Sequence, residues 1–212
     1  MEVLSNYQRQ KSDESNDEDF YSKPKFVYHL DSNFRNYLST IYRNEINENS
    51  TVLDLMSSWD SYLPSSKKYK KIIGHGLNKD ELEKNKILDS FWNQNFNLNQ
   101  KIPLDSSSID YCLMVAAFQY LQYPEALTRD IARILSDKGK IIISFSNRAF
   151  WHKAPNIWTS STEEERLKYV RKVLISNGFE EPRIIRKFND TSFNFLPFLK
   201  NDPFYCLIAI KE

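Results

Sequence analysis

From residue 51 onward, short apolar runs alternate with stretches of helical period, which restricts the chain to an α/β fold with a mostly parallel sheet. The first run holds Val52, Leu53, Leu55 and Met56 around one acid, Asp54, and stops abruptly at Ser57-Ser58-Trp59-Asp60. In doubly wound α/β proteins the turn after the first buried strand marks where a ligand sits. Such turns are normally rich in glycine, because the backbone folds sharply and a ligand must approach with no Cβ in the way. Here the turn has none, and the chain has only 4 glycines in 212 residues, where about 7% is usual. The place of a site is therefore marked more clearly than its chemistry.

The other elements follow from period and caps. Residues 1–24 read as a flexible polar tail, since Ser12 to Asp19 has no apolar periodicity and repels itself. One folded domain then runs over 25–212. Asp31 or Ser32 caps a helix to about residue 47, with Phe34, Tyr37, Leu38, Ile41 and Tyr42 at three- and four-residue steps. Strands are expected at 51–56, 70–76, 91–96, 109–116, 140–145, 183–188 and 204–211. A short helical turn is expected at 59–63, a second capped one follows from Asn78, and Asp137-Lys138-Gly139 turns into the fifth strand. Pro124 suits the first position of a helix burying Leu127, Ile131, Ile134 and Leu135. Thr162 and Glu165 form a capping box, for a helix with Leu167, Val170, Val173 and Leu174 inside and Gly178 as its C-terminal cap.

Composition removes several function classes. A formal net charge of +1 argues against a dedicated nucleic-acid surface or an electrostatic grip on membranes. The basic run Lys67, Lys68, Lys70 and Lys71 reads as a solvated loop. No apolar run approaches the roughly 18–20 residues that span a bilayer, and the start lacks a signal-type apolar segment. Cys112 and Cys206, the 2 cysteines, sit in apolar runs and read as buried free thiols. A cytoplasmic protein is expected. The 3 histidines, His29, His75 and His152, have no partner at ligand spacing, so no metal is expected. Hydrolase elbows, phosphate loops and the dinucleotide glycine fingerprint are missing as well.

Four stretches carry a resemblance: VLDL at 52–55, KKIIGHGLN at 70–78, 102–135 from IPLDSSSIDY to ARIL, and SDKGKIIISFSN at 136–147. In this order they resemble the class I S-adenosylmethionine-dependent methyltransferases, in their small-molecule, methyltransferase type 11-like branch. The resemblance implies a Rossmann-like three-layer sandwich with a seven-stranded, mostly parallel sheet whose last strand is antiparallel. It implies S-adenosylmethionine as cofactor and a small molecule as acceptor. The family's glycine loop falls on 56–60, where Ser57 and Ser58 either meet the donor's carboxylate or cap the next helix. Trp59 either stacks on the donor or plugs the cleft.

The acid that ends strand two in the family falls on Gly76. Asn78, two positions on, either touches the ribose or only caps a helix through the box Asn78-Lys79-Asp80-Glu81. The adenine contact falls on Asn95, and Gln119 follows strand four beside donor or acceptor. Asp54 completes the donor set. On the acceptor side Arg148 or Lys153 would hold an anion and His152 would take a proton. Tyr21, Phe26, Tyr28, Phe193, Phe195 and Phe198 either roof an apolar pocket or pack in the core. Two functions follow: methyl transfer to a small molecule, or a non-catalytic relative that kept the fold as a binding or partner module. An RNA or protein methyltransferase is a weaker third.

Overall fold

The structure, a computed structural model, describes residues 2–187 and 202–212. Seven strands form one sheet: β1 (Thr51–Leu55), β2 (Lys71–Gly76), β3 (Ser90–Asn93), β4 (Ile109–Val115), β5 (Leu135–Phe145), β6 (Arg183–Lys187) and β7 (Phe204–Ile210). Their order is β3-β2-β1-β4-β5-β7-β6, parallel except for β7, which runs antiparallel to both neighbours. This is the expected sheet, with the antiparallel strand last in sequence and one place in from the edge.

Seven helices accompany it among the described residues: α1 (Asn6–Arg9), α2 (Asp17–Phe20), α3 (Ser32–Glu45), α4 (Lys79–Lys84), α5 (Pro124–Ile134), α6 (Asn156–Thr159) and α7 (Glu163–Ile175). Alternation along the buried strands divides the core between the two faces. Leu53, Leu55, Cys112, Met114, Ile141 and Ile143 meet the apolar stripes of α5 and α7. Val52, Ile72, Leu113 and Ile142 meet Phe34, Leu38, Ile41 and Tyr42 of α3. The caps are as expected: Asp31 accepts from the Phe34 N–H at 2.7 Å, and Thr162 and Glu165 close a reciprocal box. Gly178, at φ 100°, lies two residues past the cap Ser176. Both cysteines are buried and free. Among the described residues no helix is long and apolar enough to cross a membrane.

One boundary shifts: β5 starts at Leu135, so Asp137-Lys138-Gly139 lies inside it and not ahead of it, with Lys138 at φ 59°. Two further expectations fail. The first is the helical turn at 59–63, which does not form. Tyr62 takes φ 55°, its N–H goes to the Asp60 carboxylate at 2.9 Å, and the whole link from β1 to β2 stays irregular. The face is covered by α3 and Leu63 instead. The second is the flexible tail, because residues 2–24 pack on the domain. Leu4 is buried, and Arg9 bonds Glu125 at 2.9 Å and the Gln122 carbonyl at 2.7 Å. Lys11 and Asp17 pair at 2.8 Å, and Asp17 also accepts from Asn97 at 2.9 Å. The acids that repel one another in isolation are paired with Lys11 nearby and with Lys153 far along the chain, and the Asn97 amide donates to Asp17.

Candidate functional site

A cavity of about 680 Å³ opens beyond the carboxyl ends of β1, β2 and β4. It lies where the chain order reverses between β1 and β4, the usual ligand position in an open α/β sheet. Its volume falls within the roughly 300–1,000 Å³ of small-molecule sites.

On the β1 side the turn is held by side chains. Met56 stands at φ 54°, the left-handed region that glycine usually fills. Its N–H donates to His75 Nδ1 at 3.1 Å, so the ring proton sits on Nε2, which donates to the Gln94 carbonyl at 2.8 Å. Burial lowers the His75 pKa to about 4, leaving a neutral ring that ties the end of β1 to the segment after β3. The next N–H, that of Ser57, donates to the His75 carbonyl at 2.7 Å. This approach explains Gly76. A Cβ there would lie 2.6 Å from the Ser57 carbonyl oxygen, so no acid fits where the family carries one.

Asp54 is buried, and the Ser57 hydroxyl donates to it at 2.5 Å. Burial raises its pKa to about 6, against the hydrogen bonds of Ser57 and Ser61, and the charge of Asp60 adds to the rise. Ser58 donates to Glu81 at 2.5 Å. With no helix after β1, neither serine is a cap. Trp59 is not part of the cavity wall: its ring packs on Tyr28, 4.5 Å between centroids. It pins the N-terminal segment and neither stacks in the cleft nor plugs it.

Asn78 caps α4, its Oδ1 accepting from the Glu81 N–H at 3.0 Å, while its Nδ2 donates to the Tyr21 and Ser22 carbonyls at 2.9 and 3.1 Å. The capping box is not reciprocal. Glu81 turns into the cavity and accepts from the Lys25 N–H at 2.6 Å as well as from Ser58. This places a carboxylate at the corner where β2 lacks one, and sequence reasoning missed it because Glu81 reads as a local cap. Asn95 lines the cavity, with Oδ1 accepting from the Asn97 N–H at 2.9 Å.

Gln119 is 1% exposed and lines the cavity beyond β4. Its Nε2 donates to the Arg148 carbonyl at 3.1 Å, and its Oε1 has no hydrogen-bond partner among the described residues. The acceptor-side candidates separate. Arg148 lines the cavity and is ion-paired to Asp202. Lys153 lines it too, but is buried and donates to the carbonyl and hydroxyl of Ser15, both at 2.8 Å. His152 is not in the wall. Its ring packs on Phe20, 5.3 Å between centroids, and the histidine at the cavity is His29. Tyr21 and Tyr28 line the cavity, Phe26 is exposed, and Phe193, Phe195 and Phe198 fall outside the described residues. No cluster of histidine, cysteine and acids able to hold a metal occurs among the described residues.

This sheet order, with the cavity at the β1–β4 reversal, is the class I methyltransferase fold. Residues 64–143 match the family model described as a methyltransferase domain, a match that begins just past the glycine-free turn. Fold and match together make the chain similar to the S-adenosylmethionine-dependent methyltransferases. Similar solved structures agree on the fold. A chain of the Haloferax volcanii complex containing the Trm112 methyltransferase activator is 16% identical, with TM-score 0.62, over 84% of this chain and 89% of that one. A S-adenosylmethionine-dependent methyltransferase from Mesorhizobium loti is 14% identical, with TM-score 0.57, over 81% and 96%. The [4+2]-cyclase SpnF is 11% identical, with TM-score 0.58, over 82% and 80%. No curated protein matches the chain.

Proposed function

We propose that the cavity binds S-adenosylmethionine and that the protein transfers its methyl group to a small molecule in the cytoplasm. Gln119 carries this reading. A buried amide oxygen without a partner costs roughly 1–3 kcal/mol, a cost relieved when a ligand donor reaches it. The Gln119 side chain lines the cavity at the position where the family resemblance places a ligand contact. Asp54, Asn78, Asn95 and Gln119 would surround the donor. Glu81 would supply the ribose-side carboxylate in place of the one Gly76 cannot carry. Ser57 and Ser58 have their hydroxyl protons committed to Asp54 and Glu81, so each offers the donor an acceptor oxygen only.

When bound, the donor supplies a methyl group already electrophilic on its sulfonium. The chain's own task is then to place an acceptor in line and exclude water. The N-terminal segment does the excluding, since Tyr21 and Lys25 lie over the cavity and hydrogen-bond to its β2 rim. Calorimetry with S-adenosylhomocysteine tests the proposal. Glu81→Gln and Gln119→Leu should each weaken binding about tenfold, equivalent to about 1.4 kcal/mol.

One observation favours a second reading, a non-catalytic binding module. The N–H groups of Met56 and Ser57, which a glycine loop would turn toward a donor, are both spent on His75. On that reading neither S-adenosylmethionine nor S-adenosylhomocysteine gives a binding heat.

A further inference from the structure

We infer that His29 is the proton acceptor for the reaction proposed above, and that the acceptor is a flat, ring-bearing hydroxyl or amine compound methylated on oxygen or nitrogen. This assignment rests on the donor-binding reading, and the other acids and bases that line the cavity are already engaged. Asp17, Asp54, Asp60 and Glu81 already accept from Lys11, from Ser57, from the Tyr62 N–H and from Ser58. Both nitrogens of His75 are used, and Arg148 and Lys153 are ion-paired. His29 lines the same cavity, and neither of its ring nitrogens has a hydrogen bond among the described residues.

The ring is also well placed. Four residues before it the Lys25 N–H is fixed to Glu81 at 2.6 Å, and two residues after it the Asp31 N–H is fixed to Asp202 at 2.8 Å. The imidazole stands at the cavity mouth with its edge to Phe150, 5.5 Å between centroids and 80° between planes. Phe150 in turn stacks with Tyr120 at 6.2 Å and meets Tyr21 edge-on at 6.4 Å, so the wall beside the imidazole is aromatic. A flat ring suits that wall better than a flexible chain.

The charged groups facing His29 are Glu81 on α4, Lys25 on its own segment and Arg148 after β5. Partial burial lowers its pKa first, Lys25 and Arg148 add to the fall, and Glu81 opposes it. The ring is therefore neutral near pH 7 and able to take a proton. As the acceptor's oxygen or nitrogen bonds to the methyl carbon, its own proton passes to the imidazole. The carbon–sulfur pair stays with the donor's sulfur, which leaves neutral.

The test uses the full chain, S-adenosylmethionine, and a fixed panel of phenols, catechols and aryl amines, with S-adenosylhomocysteine release as readout. His29→Gln should bind S-adenosylhomocysteine as the wild type does yet methylate roughly 10²–10⁴-fold more slowly. The wild-type kcat/KM should rise with pH through a value below 6.5 and then level. His29→Gln should lose that limb, and His29→Ala should be partly rescued by added imidazole. Should the variants fail to fold, an NMR titration of the His29 ring in the wild type must still give a pKa below 6.5. A wild-type rate and pH profile in His29→Gln, a ring that titrates at or above 6.5, or a donor-bound protein that methylates nothing in the panel overturns the inference. Failure of the donor to bind at all contradicts the parent reading instead.

Discussion

The two sides of the cavity are built by different means. Across β4, α5 and β5, local signals suffice: a buried strand, a proline at the first helical position and an amphipathic stripe. Across β1 and β2 the usual glycine turn and following helix are replaced by an irregular link held through His75, Asp54 and Glu81. Close backbone approach is still needed there, but it has moved. Two of the four glycines lie in β2: a Cβ at Gly76 would meet the Ser57 carbonyl oxygen at 2.6 Å, while one at Gly74 would meet only the Leu88 side chain. A turn without glycine can therefore still border a cavity, with the adjacent strand allowing the close approach and Glu81 placing an acid at that corner.

If that account is right, restoring the family's acid should do harm. Gly76→Asp should destabilise the protein by about 3 kcal/mol, read by urea unfolding, with no gain in donor affinity. A stable, tighter-binding variant would break the contrast between the two sides.

Nearly as large is a pH effect, on the order of 2–3 kcal/mol. Asp54 has its pKa raised to about 6, so its contribution to stability is full below the ordinary 3.8 and is lost as pH rises through 6. His75 has its pKa lowered to about 4, so its contribution is full above the ordinary 6.5 and is lost as pH falls through 4. Between pH 4 and 6.5 the two oppose each other. Asp54→Asn should make stability fall on acidification across that window, and His75→Gln should make it rise. Identical pH profiles in both variants would mean that the two groups are not buried as described.

Smaller again, Arg9→Ala should cost about 2 kcal/mol, below the 3–5 of a fully buried pair, because Glu125 keeps the Val3 and Leu4 N–H groups. It should appear first as faster tryptic cleavage within residues 2–24. Smallest, Thr162→Ala on the conventional side should cost about 1 kcal/mol and leave ligand binding unchanged.

The same contrast decides what could be read from the sequence. The helices opened by Asp31, Pro124 and Thr162 were legible because start signal and apolar stripe lie within a few residues of each other, as were the strands with continuous apolar runs. The packed N-terminal segment was not. Its acids read as self-repelling, and their partners, such as Asn97 for Asp17 and Lys153 for Asp13, lie far along the chain. The helix at 59–63 was expected from position alone, and the Asp60–Tyr62 turn overrode it. Of the site, Asp54, Gly76, Asn78, Asn95 and Gln119 do come together around one cavity, and Ser57 and Ser58 line it. Trp59 and His152 fall outside it, while Glu81 and His29 line it, since period and spacing cannot say which way a side chain turns.

The most direct test of the central claim, that the rebuilt β1–β2 side still admits the methyl donor, is a thermal shift with S-adenosylmethionine and S-adenosylhomocysteine. At 100 times its dissociation constant a ligand adds about 2.7 kcal/mol to the native state, which should raise Tm by roughly 5–11 °C for a chain of this length. A rise of that size with both ligands, diminished in Gln119→Leu, is the predicted result. An unchanged Tm at millimolar concentrations of either ligand would contradict it and leave the fold as a binding module for something else.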